Sequence, residues 1–189
     1  KHNVLNALAA IAVSQELGVD EHAIQKGLQN FSGIGRRYEL HGEINIKSGS
    51  ALLVDDYAHH PRELSETITA TRLSWKTRRL VLVFQPHRYS RTRDLFEDFV
   101  DALSNVDVLI LTEVYAAGEE PIGGADGRAL SRAIRLRGQV EPIFIDKVDD
   151  LAGTLLDVLL DGDVVLTAGA GSIGTVVTTL ADDIKELLQ

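Results

Sequence analysis

A chain of 189 residues, 44% apolar and 25% charged, can enclose a substantial core, and no stretch approaches the roughly 20 apolar residues that a membrane helix needs. A net charge of −9 excludes a broad nucleic-acid-binding field, and the lack of cysteine excludes disulfide and thiolate chemistry, so a cytoplasmic protein with no nucleic-acid or membrane partner is expected. The chain opens on Lys1-His2-Asn3-Val4, with neither Met nor a basic-then-apolar signal segment, and is expected to begin partway through a longer protein.

Asn3 to Leu17 has helical spacing, with Val4, Leu8, Ile11 and Val13 apolar and Gly18 as a stop. Asp20 suits the N-cap of a second helix, whose buried side would carry Ala23, Ile24 and Leu28. Phe31-Ser32-Gly33-Ile34-Gly35 is a glycine-containing joint, and the domain boundary is placed there, with 1–31 before it and 32–189 after it. Tyr38 to Ile46 alternates loosely, and Lys47-Ser48-Gly49-Ser50 turns into the run Ala51–Val54, the pattern of an antiparallel hairpin. From Pro61 onward strand and helix patterns alternate. Helices are expected over about 62–75, 92–104, 127–137, 148–160 and 173–188, with strands near 80–84, 107–112, 141–145 and 163–168. This repetition predicts an α/β fold: a doubly wound, mostly parallel, Rossmann-like sheet of about six strands flanked by helices. Its N-terminal hairpin strand is antiparallel, and two short helices precede it.

Two stretches concentrate the chemistry. Asp55-Asp56-Tyr57-Ala58-His59-His60-Pro61 and Pro86-His87-Arg88-Tyr89-Ser90-Arg91 each follow a short apolar run and precede a helical pattern. Ligands of open α/β sheets sit beyond the carboxyl ends of the strands, which is where these residues fall. A carboxylate there can accept ribose hydroxyls, a tyrosine ring can cover a base, and an imidazole can donate to a phosphate or carboxylate. The alternative for Asp56 is a cap on the helix beginning at Pro61, and His60 reads as a surface residue. Arginines three residues apart, Arg88 and Arg91, can hold a carboxylate from two directions, and a helix starting near Thr92 would add aligned N–H groups. Gly169-Ala170-Gly171-Ser172-Ile173-Gly174 matches a dinucleotide fingerprint, but no further strand with an acid follows it. It reads as a tight strand-to-helix turn in which Ser172 and nearby N–H groups face the same crevice. A nucleotide-binding module using this loop, including an NAD-binding oxidoreductase fragment, is the alternative.

The same two stretches, with Gly33-Ile34-Gly35-Arg36-Arg37 and Glu113-Val114-Tyr115-Ala116-Ala117-Gly118-Glu119, resemble the C-terminal domain of the ATP-dependent Mur ligases of peptidoglycan synthesis. The Pro-His-Arg form is similar to the member that adds L-alanine to UDP-N-acetylmuramate, rather than to its relative that attaches a recycled peptide. The resemblance implies ATP and Mg2+ as cofactors and an acyl phosphate that the amine of L-alanine attacks. It implies catalytic roles for Arg37 (at the γ-phosphate), His59 and His87, and substrate binding by His87, Arg88, Arg91 and Ser172. It places Asn3, Asn6, Arg37, Asp56 and Tyr57 at the nucleotide, and makes 1–31 the C-terminal helices of the central ATP-binding domain. Partners are then L-alanine, UDP-N-acetylmuramate and the N-terminal and central domains of the same enzyme. No Gly-x-x-x-x-Gly-Lys-Ser/Thr occurs, so the phosphate loop and the magnesium ligands are expected upstream, and this chain is expected to be inactive alone.

Overall fold

The computed structural model describes residues 2–31 and 33–189, with the side chains of His2 and Asn3 outside the description. The adenine contact expected of Asn3 falls there. The chain divides into two compact units, Lys1–Ile34 and Gly35–Gln189.

In the first unit, α1 (His2–Glu16) ends near Gly18, whose φ of +72° is the left-handed conformation glycine tolerates, and α2 (Glu21–Gln29) follows. Asp20 caps α2 by accepting the N–H groups of His22 and Ala23. The buried side expected for α2 does not form: none of its residues is buried, Ala23, Ile24 and Leu28 included. Two helices of 15 and 9 residues are too few to enclose a core of their own.

The second unit is a six-stranded sheet in the order β1-β2-β6-β3-β4-β5. The strands are β1 (Glu39–Ile46), β2 (Gly49–Asp56), β3 (Leu80–Phe84), β4 (Val108–Thr112), β5 (Pro142–Ile145) and β6 (Val164–Ala168). The β1–β2 hairpin is antiparallel and all other pairings are parallel, the mixed α/β sheet expected. The strand period of two sends Leu80, Leu82 and Phe84 to one face and Val81 and Val83 to the other, and all five are buried, as a doubly covered strand requires. On the first face α3 (Pro61–Ser74), α5 (Phe96–Leu103) and α6 (Gly127–Arg137) contribute Leu64, Ile68, Phe99, Leu103, Leu130 and Ile134. On the second, α7 (Leu151–Val158) and α8 (Ile173–Leu187) contribute Leu155, Ile173, Val177 and Leu180.

Two helix positions differ from the sequence expectation. The helix expected over 92–104 begins three residues earlier as α4 (Tyr89–Asp94) and is interrupted at Leu95 before α5. Thr92 sits a full turn inside, its N–H and hydroxyl both donating to the Arg88 carbonyl. The segment expected to open at 148 starts as a single 3-10 turn, Val148–Asp150, and becomes α-helical at Leu151.

The topology sets where a ligand can enter. β6 lies between β2 and β3; the helices after those two strands pack on one face, while α8, which follows β6, packs on the other. Chains leaving neighbouring strands in opposite directions open a crevice at their carboxyl ends. Phe84, the last residue of β3, pairs in the core with Phe99 of α5, both fully buried with ring centroids 5.6 Å apart. Phe99→Ala is expected to lower stability by about 3–5 kcal/mol, read as a lower denaturation midpoint at unchanged m-value.

Candidate active-site crevice

All the geometry below belongs to Gly35–Gln189; Asn6 lies in the first unit, exposed on α1. The adjacent acids at the end of β2 divide their tasks. Asp55, 1% exposed, accepts the Thr167 hydroxyl at 2.6 Å on β6 and Arg36 Nε at 2.8 Å. Arg36 also donates to the Gly169 carbonyl at 2.6 Å. Asp56, 7% exposed, accepts the N–H groups of Tyr38 and Ala58, both at 2.8 Å, and so holds the chain before β1 and after β2. Burial pushes its carboxyl pKa up, against those two N–H bonds and the nearby Arg37 charge. Each oxygen keeps a second lone pair, and a ribose contact at Asp56 would have to use it.

The two adjacent arginines are thereby parted. Arg36, at a φ of +58°, is committed inward, while Arg37 is exposed. Both guanidinium carbons lie over the half-exposed ring of Tyr57, at 5.2 and 5.6 Å from its centroid.

His59 and His87 face each other with ring centroids 5.9 Å apart. His59 Nδ1 is 3.0 Å from the Tyr57 carbonyl, which can only accept, so Nδ1 carries the proton and Nε2 of the neutral ring is an acceptor. His87 Nδ1 is 3.1 Å from Arg91 Nη1, which can only donate, so His87 carries its proton on Nε2. The rings hold opposite tautomers. Burial first, then the charges of Arg91, His59 and Arg88, push the His87 pKa below that of an ordinary imidazole. Behind His59, burial alone would raise Glu63, but the N–H groups of His59 and His60 and the His59 charge hold it below the usual carboxylate value.

His60, read from sequence as a surface residue, is exposed but occupied. Its ring accepts the Arg62 N–H while Glu63 reaches back to the His60 N–H, a capping box on α3. The cap is therefore His60 and not Asp56.

The second stretch sits where β3 and β4 resume contact beyond their ends, through a bridge between His87 and Tyr115. Arg88 donates its N–H to the Tyr115 carbonyl at a strained φ of +74°, and His87 stacks on the Tyr115 ring at 5.5 Å. Because α4 opens at Tyr89 rather than near Thr92, its first-turn N–H groups fall at Tyr89–Arg91, and that of Ser90 already donates to Glu119. The arginine side chains remain, Arg88 exposed and Arg91 half-buried.

The glycine loop is packed tightly against its own chain. A Cβ on Gly169 would lie 2.8 Å from the Gln85 carbonyl, and one on Gly171 2.5 Å from Gln85 Oε1 and 2.6 Å from Tyr115. At Gly174 it would strike the Arg36 guanidinium. The G-x-G-x-x-G spacing is thus filled by this protein's own side chains. Ser172, at the start of α8, is held by Gln85 Nε2 at 3.0 Å, while Gln85 Oε1 accepts the Ile173 N–H at 2.9 Å. Gln85, 5% exposed, does the capping work for α8, a role sequence reading missed. Its one signal is an amide placed directly after the buried run Leu80–Phe84. Among the described residues no three His, Cys, Asp or Glu side chains gather as metal ligands.

A family model described as "Mur ligase, glutamate ligase domain" matches residues 36–171, which include every residue of the crevice except Ser172, Ile173 and Gly174. The chain is 61% identical over 92% of its length to the UDP-N-acetylmuramate–L-alanine ligase of Halorhodospira halophila, and 58% identical over 99% to that of Neisseria meningitidis serogroup A. It spans 36% and 40% of the length of those relatives. The crystal structure of the UDP-N-acetylmuramate-alanine ligase of Thermotoga maritima superposes with a TM-score of 0.73 at 28% identity, over 100% of this chain and 38% of that one. The murein peptide ligase of Psychrobacter arcticus shares the fold, with a TM-score of 0.66 at 23% identity over 97% of this chain and 37% of that one. With the match running from Arg36 through both crevice stretches into the glycine loop, this chain belongs to the Mur ligase family.

Proposed function

We propose that this chain is the C-terminal, amino-acid-binding portion of a UDP-N-acetylmuramate–L-alanine ligase, with 1–31 the last helices of its central ATP-binding domain. The observation that carries this reading is the pair of oppositely protonated histidines bracketed by Arg37 on one side and Arg88 and Arg91 on the other. Such a crevice is built to receive anions and move one proton. The names of the relatives supply the substrates, L-alanine and UDP-N-acetylmuramate.

ATP would supply the phosphoryl group that activates the muramic acid carboxylate. The exposed Arg37 fits a phosphate, because its fork of donors can meet charge spreading over the oxygens, and the half-exposed Tyr57 ring fits a base. Asp56 would use its remaining lone pairs on the ribose. No three His, Cys, Asp or Glu side chains gather as metal ligands among the described residues, so a magnesium ion would be held by the central domain. Arg88, Arg91 and Ser172 would orient the amino acid. His59 Nε2 is the free acceptor for the proton the amine gives up. His87, kept neutral beside Arg91, would offer Nε2–H to an oxygen of the reacting group.

Three outcomes are expected. In the complete enzyme, Arg88→Lys and Arg91→Lys should raise KM for L-alanine by about 1.5–3 kcal/mol, the scale of a charged hydrogen bond, with KM for ATP nearly unchanged. Arg37→Lys should instead lower kcat; a loss of ATP affinity in Arg91→Lys with unaltered alanine response would overturn this division of the crevice. The chain alone should release no phosphate from ATP when both other substrates are present. In NMR titration His87 should show a midpoint below about 6.5, moving part of the way back in Arg91→Gln because burial, the larger cause, remains. Since folding depresses this pKa, the stability it contributes is fully present above about pH 6.5 and is lost as pH falls toward the folded value.

A further inference from the structure

The stretch Glu113–Glu119 lines the crevice, and the functional reading gives it no task. Its turn runs through Ala117 at a φ of +51° and Gly118 at +84°, closed by the Glu119 N–H on the Ala116 carbonyl. That turn throws Glu119 back against the start of α4. Glu119 Oε2 accepts the Ser90 N–H at 2.9 Å; Oε1 accepts the Ser90 hydroxyl at 2.6 Å and Arg88 Nη1 at 3.3 Å. One carboxylate, 23% exposed, thus takes three donors from the first turn that carries the arginines. Opposite it, the Tyr115 carbonyl takes the Arg88 N–H. The left-handed φ of Arg88, which costs a non-glycine residue about 1–3 kcal/mol, persists because it is gripped from both sides.

We propose that Glu119 is a positioning residue for the amino-acid-binding arm: it clamps the first turn of α4, so that Arg88 and Arg91 meet the incoming carboxylate in one fixed arrangement. This rests on the functional reading above. Glu119 acts through Arg88 and Ser90 and does not itself touch the amino acid, whose carboxylate it would repel. Its own carboxyl is held down to about 2, first by the Ser90 hydroxyl and N–H and then by Arg88, so the clamp is charged across the physiological range.

Glu119→Gln is nearly isosteric but keeps a single acceptor oxygen, and cannot serve all three donors. In the complete enzyme it should raise KM for L-alanine about tenfold while kcat and KM for ATP stay within about twofold. In an Arg88→Lys background the same change should add less than it does alone, because part of its effect runs through the Arg88 side chain. In the present chain, hydrogen exchange at the Ser90 amide should quicken about tenfold in Glu119→Gln. An unaltered KM for L-alanine, an equal rise in KM for ATP, or full additivity with Arg88→Lys overturns the proposal. If the wild-type enzyme itself fails to respond to L-alanine, it is the functional reading that falls. The Ser90 exchange then still decides the clamp, and unchanged exchange refutes it.

Discussion

The ion pair of buried Asp55 with half-buried Arg36 is the interaction on which the crevice depends. It joins three stretches far apart in sequence: the segment before β1, the end of β2, and the end of β6 with its glycine loop, through the Thr167 hydroxyl and the Gly169 carbonyl. Removing one member of a buried ion pair leaves an uncompensated charge and costs about 3–5 kcal/mol. More follows here than a loss of stability. Arg36 is committed inside while Arg37 stays exposed, and both guanidinium carbons lie over the Tyr57 ring, 5.2 and 5.6 Å from its centroid. Two identical residues in succession acquire opposite duties from one carboxylate.

Around that tie the chain builds a crevice whose buried polar groups are all occupied before any ligand arrives. Every buried side-chain nitrogen and oxygen among the described residues has a hydrogen-bond partner. Such sites are rigid because each group is held by another of definite geometry. The histidines show what this accomplishes. Neither ring needs to turn for one to accept a proton and the other to present one, and the guanidinium beside His87 discourages a second proton from settling there.

The sheet and both crevice stretches are legible in the sequence for a simple physical reason. Strands buried on both faces must be apolar throughout, and a polar cluster directly after such a run has nowhere to go but the strand's carboxyl end. β3, β4 and β6 fall within a residue of expectation on that ground. What local pattern could not supply are the partners brought in by topology. Nothing near Arg88 in the chain announces that Tyr115 and Glu119 will hold it in a left-handed conformation, so the start of α4 shifts by three residues. The capping tasks of His60 and Gln85 escape the eye similarly. Asp, Asn, Ser and Thr are the usual caps, and a histidine or a glutamine from another strand is not what a cap pattern seeks. Ala23, Ile24 and Leu28 mark the opposite error, since amphipathic spacing announces a face but not what will cover it.

The crowding at the glycine loop has an evolutionary consequence. Positions 36, 85, 115, 169, 171 and 174 share one small volume, in which a single added methyl at any of the three glycines meets a neighbour already in contact. They are therefore not free to drift independently. A descendant chain that enlarges Gly171 has to shrink Gln85 or Tyr115 in the same lineage, and one that fills Gly174 has to give up the inward arginine. Substitutions at these six sites should arrive as correlated sets, and a search that scores the glycines by themselves would miss that steric interdependence.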